Sequence, residues 1–151
     1  MSDQALNGTS VLAANNVTKQ VSSPEGTLTI LSHVSFAIDK GDSVAIVGAS
    51  GAGKSTLLAL LAGLDLPTEG EIILDGTKMT ELDEDGRAAV RAASVGFVFQ
   101  SFHLVSSLNA LENVMLPLEL AGKENPRSVA KEILEQVGLG ERWSHYPAQL
   151  S

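Results

Sequence analysis

The sequence contains no cysteine, which excludes a disulfide framework and any thiolate-held metal and fits a reducing compartment. Cations are also scarce: 10 Lys and Arg stand against 18 Asp and Glu, a formal net charge of −8. A nucleic-acid backbone is gripped mainly by clustered cations, so a chain this acidic is not expected to bind nucleic acid. Any anionic ligand must be held by a local site. Long hydrophobic runs are missing too. The longest, residues 57–64, falls well short of the about 18 residues that span a bilayer. Residues 1–20 show no basic stretch followed by an apolar one, so no signal peptide is expected. There is no internal repeat and no low-complexity segment.

What is present reads as globular: 44% of the 151 residues are apolar and 19% charged, enough for one domain or part of a larger one. Residues 1–16, polar and rich in Asn and Ser, read as a flexible leader to a domain over 17–151. Partial alternation over 28–39 predicts a strand, turned at Lys40-Gly41-Asp42. Ser43-Val-Ala-Ile-Val-Gly48 is a short continuous apolar run, the pattern of a strand buried on both faces of a mostly parallel sheet. A helix is predicted from Lys54 to Leu64, with Leu or Ala almost all round and therefore buried, closed by Gly63 and Pro67. A strand over 70–74 runs into an Asp75-Gly76 turn, a short helix weakened by Gly86 covers 84–93, and 95–99 reads as another buried strand ending at Gln100. Helical spacing returns over 110–120 and 128–137, with Pro117 expected to kink or divide the first of these. The class is α/β, with a helical stretch near the end.

Between the run ending at Gly48 and the helix beginning at Lys54 lies Gly48-Ala49-Ser50-Gly51-Ala52-Gly53-Lys54-Ser55-Thr56, a phosphate-binding P-loop in the strand-then-helix context that such a motif requires. Gly48, Gly51 and Gly53 let the backbone adopt conformations that a Cβ forbids and approach phosphate oxygens closely. The loop N–H groups then form an anion nest at the positive end of the helix. Lys54 is placed to reach between β- and γ-phosphates, Ser55 to offer its hydroxyl to Mg²⁺, and Thr56 to approach the α-phosphate side. A glycine-rich turn without ligand is the bland alternative, and the flanking strand and helix argue against it. A nucleoside triphosphate with Mg²⁺ is the ligand expected.

A P-loop alone does not separate kinases, GTPases, recombinases and transport ATPases. Gln100 closes a strand where its amide could reach a metal ion or an attacking water, although taken alone it reads first as a solvated strand end. The segments Gly48 to Leu58, Leu61-Ala-Gly-Leu-Asp65, Val95-Gly-Phe-Val-Phe-Gln-Ser-Phe102 and Leu108-Asn-Ala-Leu-Glu-Asn-Val114 carry a resemblance. In them the chain resembles the ATP-binding subunits of ABC transporters, in the group serving lipoprotein release and macrolide export, and within it the YbbA-type ATPases. The likeness runs from about Val17 to Ser151. It implies the N-terminal part of a P-loop nucleotide-binding domain, with an antiparallel β subdomain and a helical subdomain. It also implies ATPase activity in the full-length protein and Gln100 as a Mg²⁺ ligand opening a segment that senses nucleotide. Residues 102–117 would dock on a membrane permease. A second ATP-binding subunit would complete a head-to-tail dimer on the inner, cytoplasmic face of the membrane, with Lys54 facing Ser151 across the interface.

Two departures from that family pattern follow. No Phe, Tyr or Trp precedes Phe36, and Val21 stands where the family usually stacks adenine on an aromatic. Base stacking of that kind contributes about 1–3 kcal/mol on nucleic-acid bases, so weak discrimination of ATP from GTP is expected. Leu150-Ser151 resembles the opening of the Leu-Ser-Gly-Gly-Gln signature, and the rest of it, the acidic Mg²⁺-binding strand and the switch histidine do not follow. The chain is therefore expected to bind nucleotide without hydrolysing it alone. Asp75, in a turn, and Glu112, on a helix surface, are not substitutes for the missing base. His33, His103 and His145 lack metal-ligand spacing, Trp143 and Tyr146 read as packing residues, and the acidic cluster at 81–85 reads as a helix start. Two other readings stay open: a non-transport ABC ATPase acting on DNA or the ribosome, disfavoured by charge and by the lack of a long insertion, and a catalytically inactive nucleotide-binding module.

Overall fold

In the computed structural model, which describes residues 10–101 and 103–150, the first element is a long strand, β1 (Ser10–Ser23). It pairs antiparallel with β2 (Gly26–Asp39) along one edge and with β3 (Glu69–Leu74) along the other. β4 (Thr77–Lys78) completes a four-stranded sheet in the order β2-β1-β3-β4. The apolar run Leu12-Ala13-Ala14 thus sits in ladders on both sides, with Ala13 and Ala14 buried. This corrects the reading of residues 1–16 as a leader: 10–16 are sheet residues, and 1–9 lie outside the described residues. The ladder bulges around Asn16 (φ 52°), where Gly70 crosses so close to the Asn15 and Asn16 carbonyls that a Cβ would not fit. β3 and β4 are joined by Asp75 (φ 47°) and Gly76 (φ 76°), both left-handed, as a two-residue type I′ hairpin turn requires.

Against this sheet packs α1 (Lys54–Leu61), whose Leu57, Leu60 and Leu61 share a core with Ala14, Val17, Leu31, Ile72, Leu74 and Met79. Leu58 and Leu64 are 46% and 45% exposed, so the helix is covered on one side and not all round as expected. Its end is a Schellman arrangement: Gly63 (φ 68°) donates to the Leu60 carbonyl at 3.0 Å and Leu64 to that of Ala59 at 2.9 Å. A 3₁₀ turn (Met79–Glu81) leads to α2 (Glu84–Ser94), capped by Asp83, whose carboxylate accepts from the Gly86 N–H at 2.8 Å.

The strands expected at residues 43–48 and 95–99 enter no sheet among the described residues. Val44, Val47 and Val98 are 57%, 87% and 97% exposed where burial was expected. A segment patterned for both faces of a parallel sheet needs neighbouring strands on its edges and helices on its faces. The four strands described all belong to the antiparallel sheet.

The chain divides into two compact units, Met1–Phe97 and Val98–Ser151. The second is helical. α3 (Ala110–Leu120) and α4 (Pro126–Gln136) bury Ala110, Leu111, Ala130 and Leu134 against one another, and α5 (Pro147–Leu150) brings Leu150 to the same cluster. α3 begins with a capping box of Asn109 and Glu112. Its Ala110 and Leu111 N–H groups donate to the His145 and Trp143 carbonyls at 2.8 and 2.9 Å. Of the two outcomes expected at Pro117, a kink or a division, α3 is not divided: it runs through the proline. The ring removes one N–H, its carbonyl still accepts from Ala121 at 3.1 Å, and the helix ends within one turn.

Two outcomes follow. Purified chain should self-associate with rising concentration, seen by light scattering, because residues 43–48 expose the apolar side chains of Val44 and Val47 on a segment that joins no sheet among the described residues; a cooperative, monomeric thermal transition at high concentration would contradict this. Asp65 is held below its ordinary 3.8 chiefly by the hydrogen bond from Lys19, with the Leu66 N–H and the Lys19 charge adding to it and burial opposing. A depressed carboxylate pKa contributes stability that is present above about pH 4 and lost as pH falls through the lower folded value. Lys19→Gln should flatten acid unfolding in that window, measured by circular dichroism.

Candidate functional site

Residues 48–56 fold into an open cradle on the surface of the first unit. Gly51 (φ 79°) and Gly53 (φ 83°) both take the left-handed conformation, and Gly53 is the N-cap of α1. A Cβ on Gly53 would lie 3.0 Å from side-chain atoms of Ile30 and Leu31 and 3.1 Å from the Ile30 carbonyl. The loop is therefore pressed onto β2 at the point where the helix starts. Gly48 needs no unusual φ, but a Cβ there would stand 3.3 Å from that of Ala52. A turn closed by the Ala52 N–H on the Ala49 carbonyl (3.2 Å) shapes the middle of the loop around exposed Ala49 and Ser50.

Polar groups converge on this cradle. Leu57 is the first α1 residue whose N–H reaches an acceptor, the Gly53 carbonyl at 2.8 Å, so those of Lys54, Ser55 and Thr56 precede the helix's own bonding and point outward at its positive end. The Lys54 ammonium folds back over the loop and donates to the carbonyls of Gly48 (2.8 Å) and Ala49 (2.6 Å). Ser55 is exposed beside it. Backbone donors, a helix dipole and one ammonium on a concave surface fit a polyphosphate, and the Ser55 hydroxyl fits a hard cation accompanying it. Val21 is half-buried in β1, with Leu28, 58% exposed, as its cross-strand partner; Leu28 lies two residues along β2 from Ile30, which touches Gly53. An apolar pair thus stands on the hairpin that supports the loop.

The other candidates are placed elsewhere. Gln100 is an exposed bend residue of the second unit. Phe102 and Ser151 lie outside the described residues. His33 (φ 50°) bonds Asn16 through Nδ1 at 3.0 Å within the β1–β2 irregularity, and His103 meets Phe99 edge-on at 4.8 Å. The His145 Nδ1 is buried with no hydrogen-bond partner among the described residues. Trp143 and Tyr146, expected to be packing residues, are 36% and 48% exposed; Lys131 and Arg127 sit over the Trp143 ring at 5.1 and 5.9 Å. A hollow of about 70 Å³ beside Lys131, Glu135, Gly140 and Trp143 is too small for a nucleotide. The acidic cluster is taken up in local bonds: Asp83 caps α2, Glu84 pairs with Arg87 and Arg91, and Glu81 pairs with Lys78. Sequence reasoning missed the arginine pair, although Glu84, Arg87 and Arg91 stand three and seven residues apart on one helix face.

The fold and the cradle define a P-loop nucleotide-binding protein. The family profile described as "ABC transporter" matches residues 31–151. The chain is 50% identical over 143 residues to the "Uncharacterized ABC transporter ATP-binding protein YbbA" of Escherichia coli (strain K12), covering 93% of this chain and 63% of that protein. It is 43% identical over 150 residues to the "Lipoprotein-releasing system ATP-binding protein LolD" of Xanthomonas campestris pv. campestris (strain 8004), with coverage of 98% and 63%. Among solved structures, the dimeric, post-hydrolysis ATP-binding cassette MJ0796 bound to ADP and Pi superposes with a TM-score of 0.85 at 42% identity, over 93% of this chain and 63% of that one. The chain belongs to the ABC transporter family, has the nucleotide-binding fold of its ATP-binding proteins in part, and spans 63% of the length of these relatives.

Lys54→Ala removes the one side-chain cation that the described residues place over the loop. A charge-assisted bond contributes about 1.5–3 kcal/mol, so triphosphate affinity should fall at least tenfold by calorimetry. The circular dichroism spectrum should not change, because Lys54 bonds only to its own loop.

Proposed function

We propose that this chain is the nucleotide-binding portion of an ATP-binding subunit that couples ATP binding and hydrolysis to a membrane permease serving export or lipoprotein and envelope work. The observation that carries the reading is the open cradle at the start of α1, where unbonded helix N–H groups and the Lys54 ammonium converge. The relatives YbbA and LolD are both ATP-binding proteins, LolD of a lipoprotein-releasing system. Residues 48–56 hold the phosphates, Lys54 balances the charge of the terminal ones, and Ser55 and Gln100 are the proposed Mg²⁺ ligands. Bound MgATP supplies the anhydride whose cleavage drives the system. Nothing among the described residues near the cradle orients a water for attack, so turnover is assigned to the longer subunit and to a second copy set head to tail. In that arrangement Ser151 would face the partner's nucleotide; the MJ0796 cassette is dimeric. No helix among the described residues is long and apolar enough to cross a membrane, so attachment to the inner membrane face is assigned to the permease.

The base rests on Val21 and Leu28 in place of an aromatic ring. Apolar contact without stacking gives little reason to prefer adenine to guanine. Competition binding should therefore show ATP and GTP within about fivefold of each other, less than the preference that a selective contribution of about 1–3 kcal/mol would give. The chain alone should bind MgATP without releasing phosphate. Failure to bind MgATP overturns the reading, and a large preference for ATP overturns the assignment of the base to Val21.

A further inference from the structure

Three charged side chains of α2 form a bridge to the far end of α1. Arg91 donates through Nη1 to the Gly63 carbonyl at 2.6 Å and through Nη2 to Glu84 Oε1 at 2.8 Å. Arg87, only 8% exposed, donates to Glu84 Oε2 and to the Leu82 carbonyl, both at 2.6 Å. An ion-pair network confined to α2 would need only Glu84 with the two arginines. Here one arm of Arg91 is given to another element, at the carbonyl where α1 ends. Met79, itself buried, packs its Cε over Gly63, where a Cβ would lie 2.5 Å from it.

We propose that Arg91 is a positioning residue for the phosphate-binding loop, which fixes α1 along its axis so that polyphosphate at the helix's start is coupled to the bridge at its end. α1 has eight residues, about 12 Å, too short to absorb strain between its ends. Toward β2 it is stopped by the contact of Gly53 with Ile30 and Leu31. Withdrawal from β2 is resisted by the bond between Arg91 and Gly63. A guanidinium at the negative end of the helix and an anion at the positive end both complement its dipole, so each favours the geometry the other needs. Coupling of this kind is reciprocal: polyphosphate must tighten the bridge as much as the bridge tightens polyphosphate.

The inference rests on the proposed phosphate binding, and inorganic tripolyphosphate, which has no base, is the probe that isolates it. Amide hydrogen exchange at Gly63 and Leu64 is measured in the full chain with and without tripolyphosphate, at concentrations below the onset of self-association. Exchange should slow on binding, although both amides lie at the opposite end of α1 from the loop. In Arg91→Gln tripolyphosphate should bind about three- to tenfold more weakly, the scale of a helix-terminus charge, and the distal slowing should disappear. Arg91→Lys keeps a cation at that carbonyl and should recover part of both effects. Unchanged exchange at Gly63 and Leu64 in wild-type chain that binds tripolyphosphate overturns the coupling, as does a folded Arg91→Gln with wild-type affinity. If Arg91→Gln does not fold, the wild-type exchange comparison decides by itself. Wild-type chain that binds no tripolyphosphate overturns the phosphate reading as well, which separates the two failures.

Discussion

The approach of Gly53 to the backbone of Ile30 is the contact on which the rest of the site depends. It requires a residue with no side chain in a left-handed conformation, and it sets where α1 begins. From that origin Leu57, Leu60 and Leu61 fall on the sheet, Lys54 falls over the loop, and the first N–H groups of the helix face away from the core. The sheet beneath provides the rigidity this placement needs. β1 is bonded along both edges, and its buried Ala14 and Val17 lie in the same core as the helix. Burying the apolar face of α1 is the larger stabilising term; the cradle is a by-product of where burial places the helix's polar end.

Charge is organised locally. The chain as a whole is acidic, yet the Lys54 ammonium is held by neutral carbonyls, and the buried guanidinium of Arg87 is matched by Glu84. Exposed pairs such as those of Lys78 with Glu71 and Glu81 add little in water. The partly buried ones differ in kind. Lys19 joins β1 to Asp65 and the Leu66 carbonyl beyond α1, and Arg91 joins α2 to Gly63. Both tie the segment just past the helix to elements the helix packs beside.

Much of this was legible in the sequence, and the reasons are specific. Gly51 and Gly53 take the left-handed conformations that the loop reading asked of them, and the turn expected at Asp75-Gly76 is the one that joins β3 to β4. The family likeness supplied the antiparallel sheet and the helical part. β1 was missed over its whole length, Ser10–Ser23, because it is largely polar and its Asn pair masks a strand that bulges there. Residues 43–48 and 95–99 read as buried strands from composition alone, but a strand is defined by its neighbours, and a linear pattern does not contain them. The all-round apolar pattern of α1 likewise overstated its cover. The arginine bridge was hidden for another reason: i, i+3 and i, i+7 charges on a helix usually pair with each other, and nothing in their spacing points to a carbonyl on a different element.

The fold-back of Lys54 has a consequence for how a ligand is received. An ammonium has three N–H donors, and two of them are given to the carbonyls of Gly48 and Ala49. A first oxygen brought to this nitrogen would find one donor outside those two bonds. Each further oxygen must take its place by substitution, trading a carbonyl for itself. Engagement is then a stepwise exchange of partners around one nitrogen, and its heat is the difference between bonds of similar strength. A small monoanion gains only the first step, whereas a chain of linked phosphates can carry the exchange to completion.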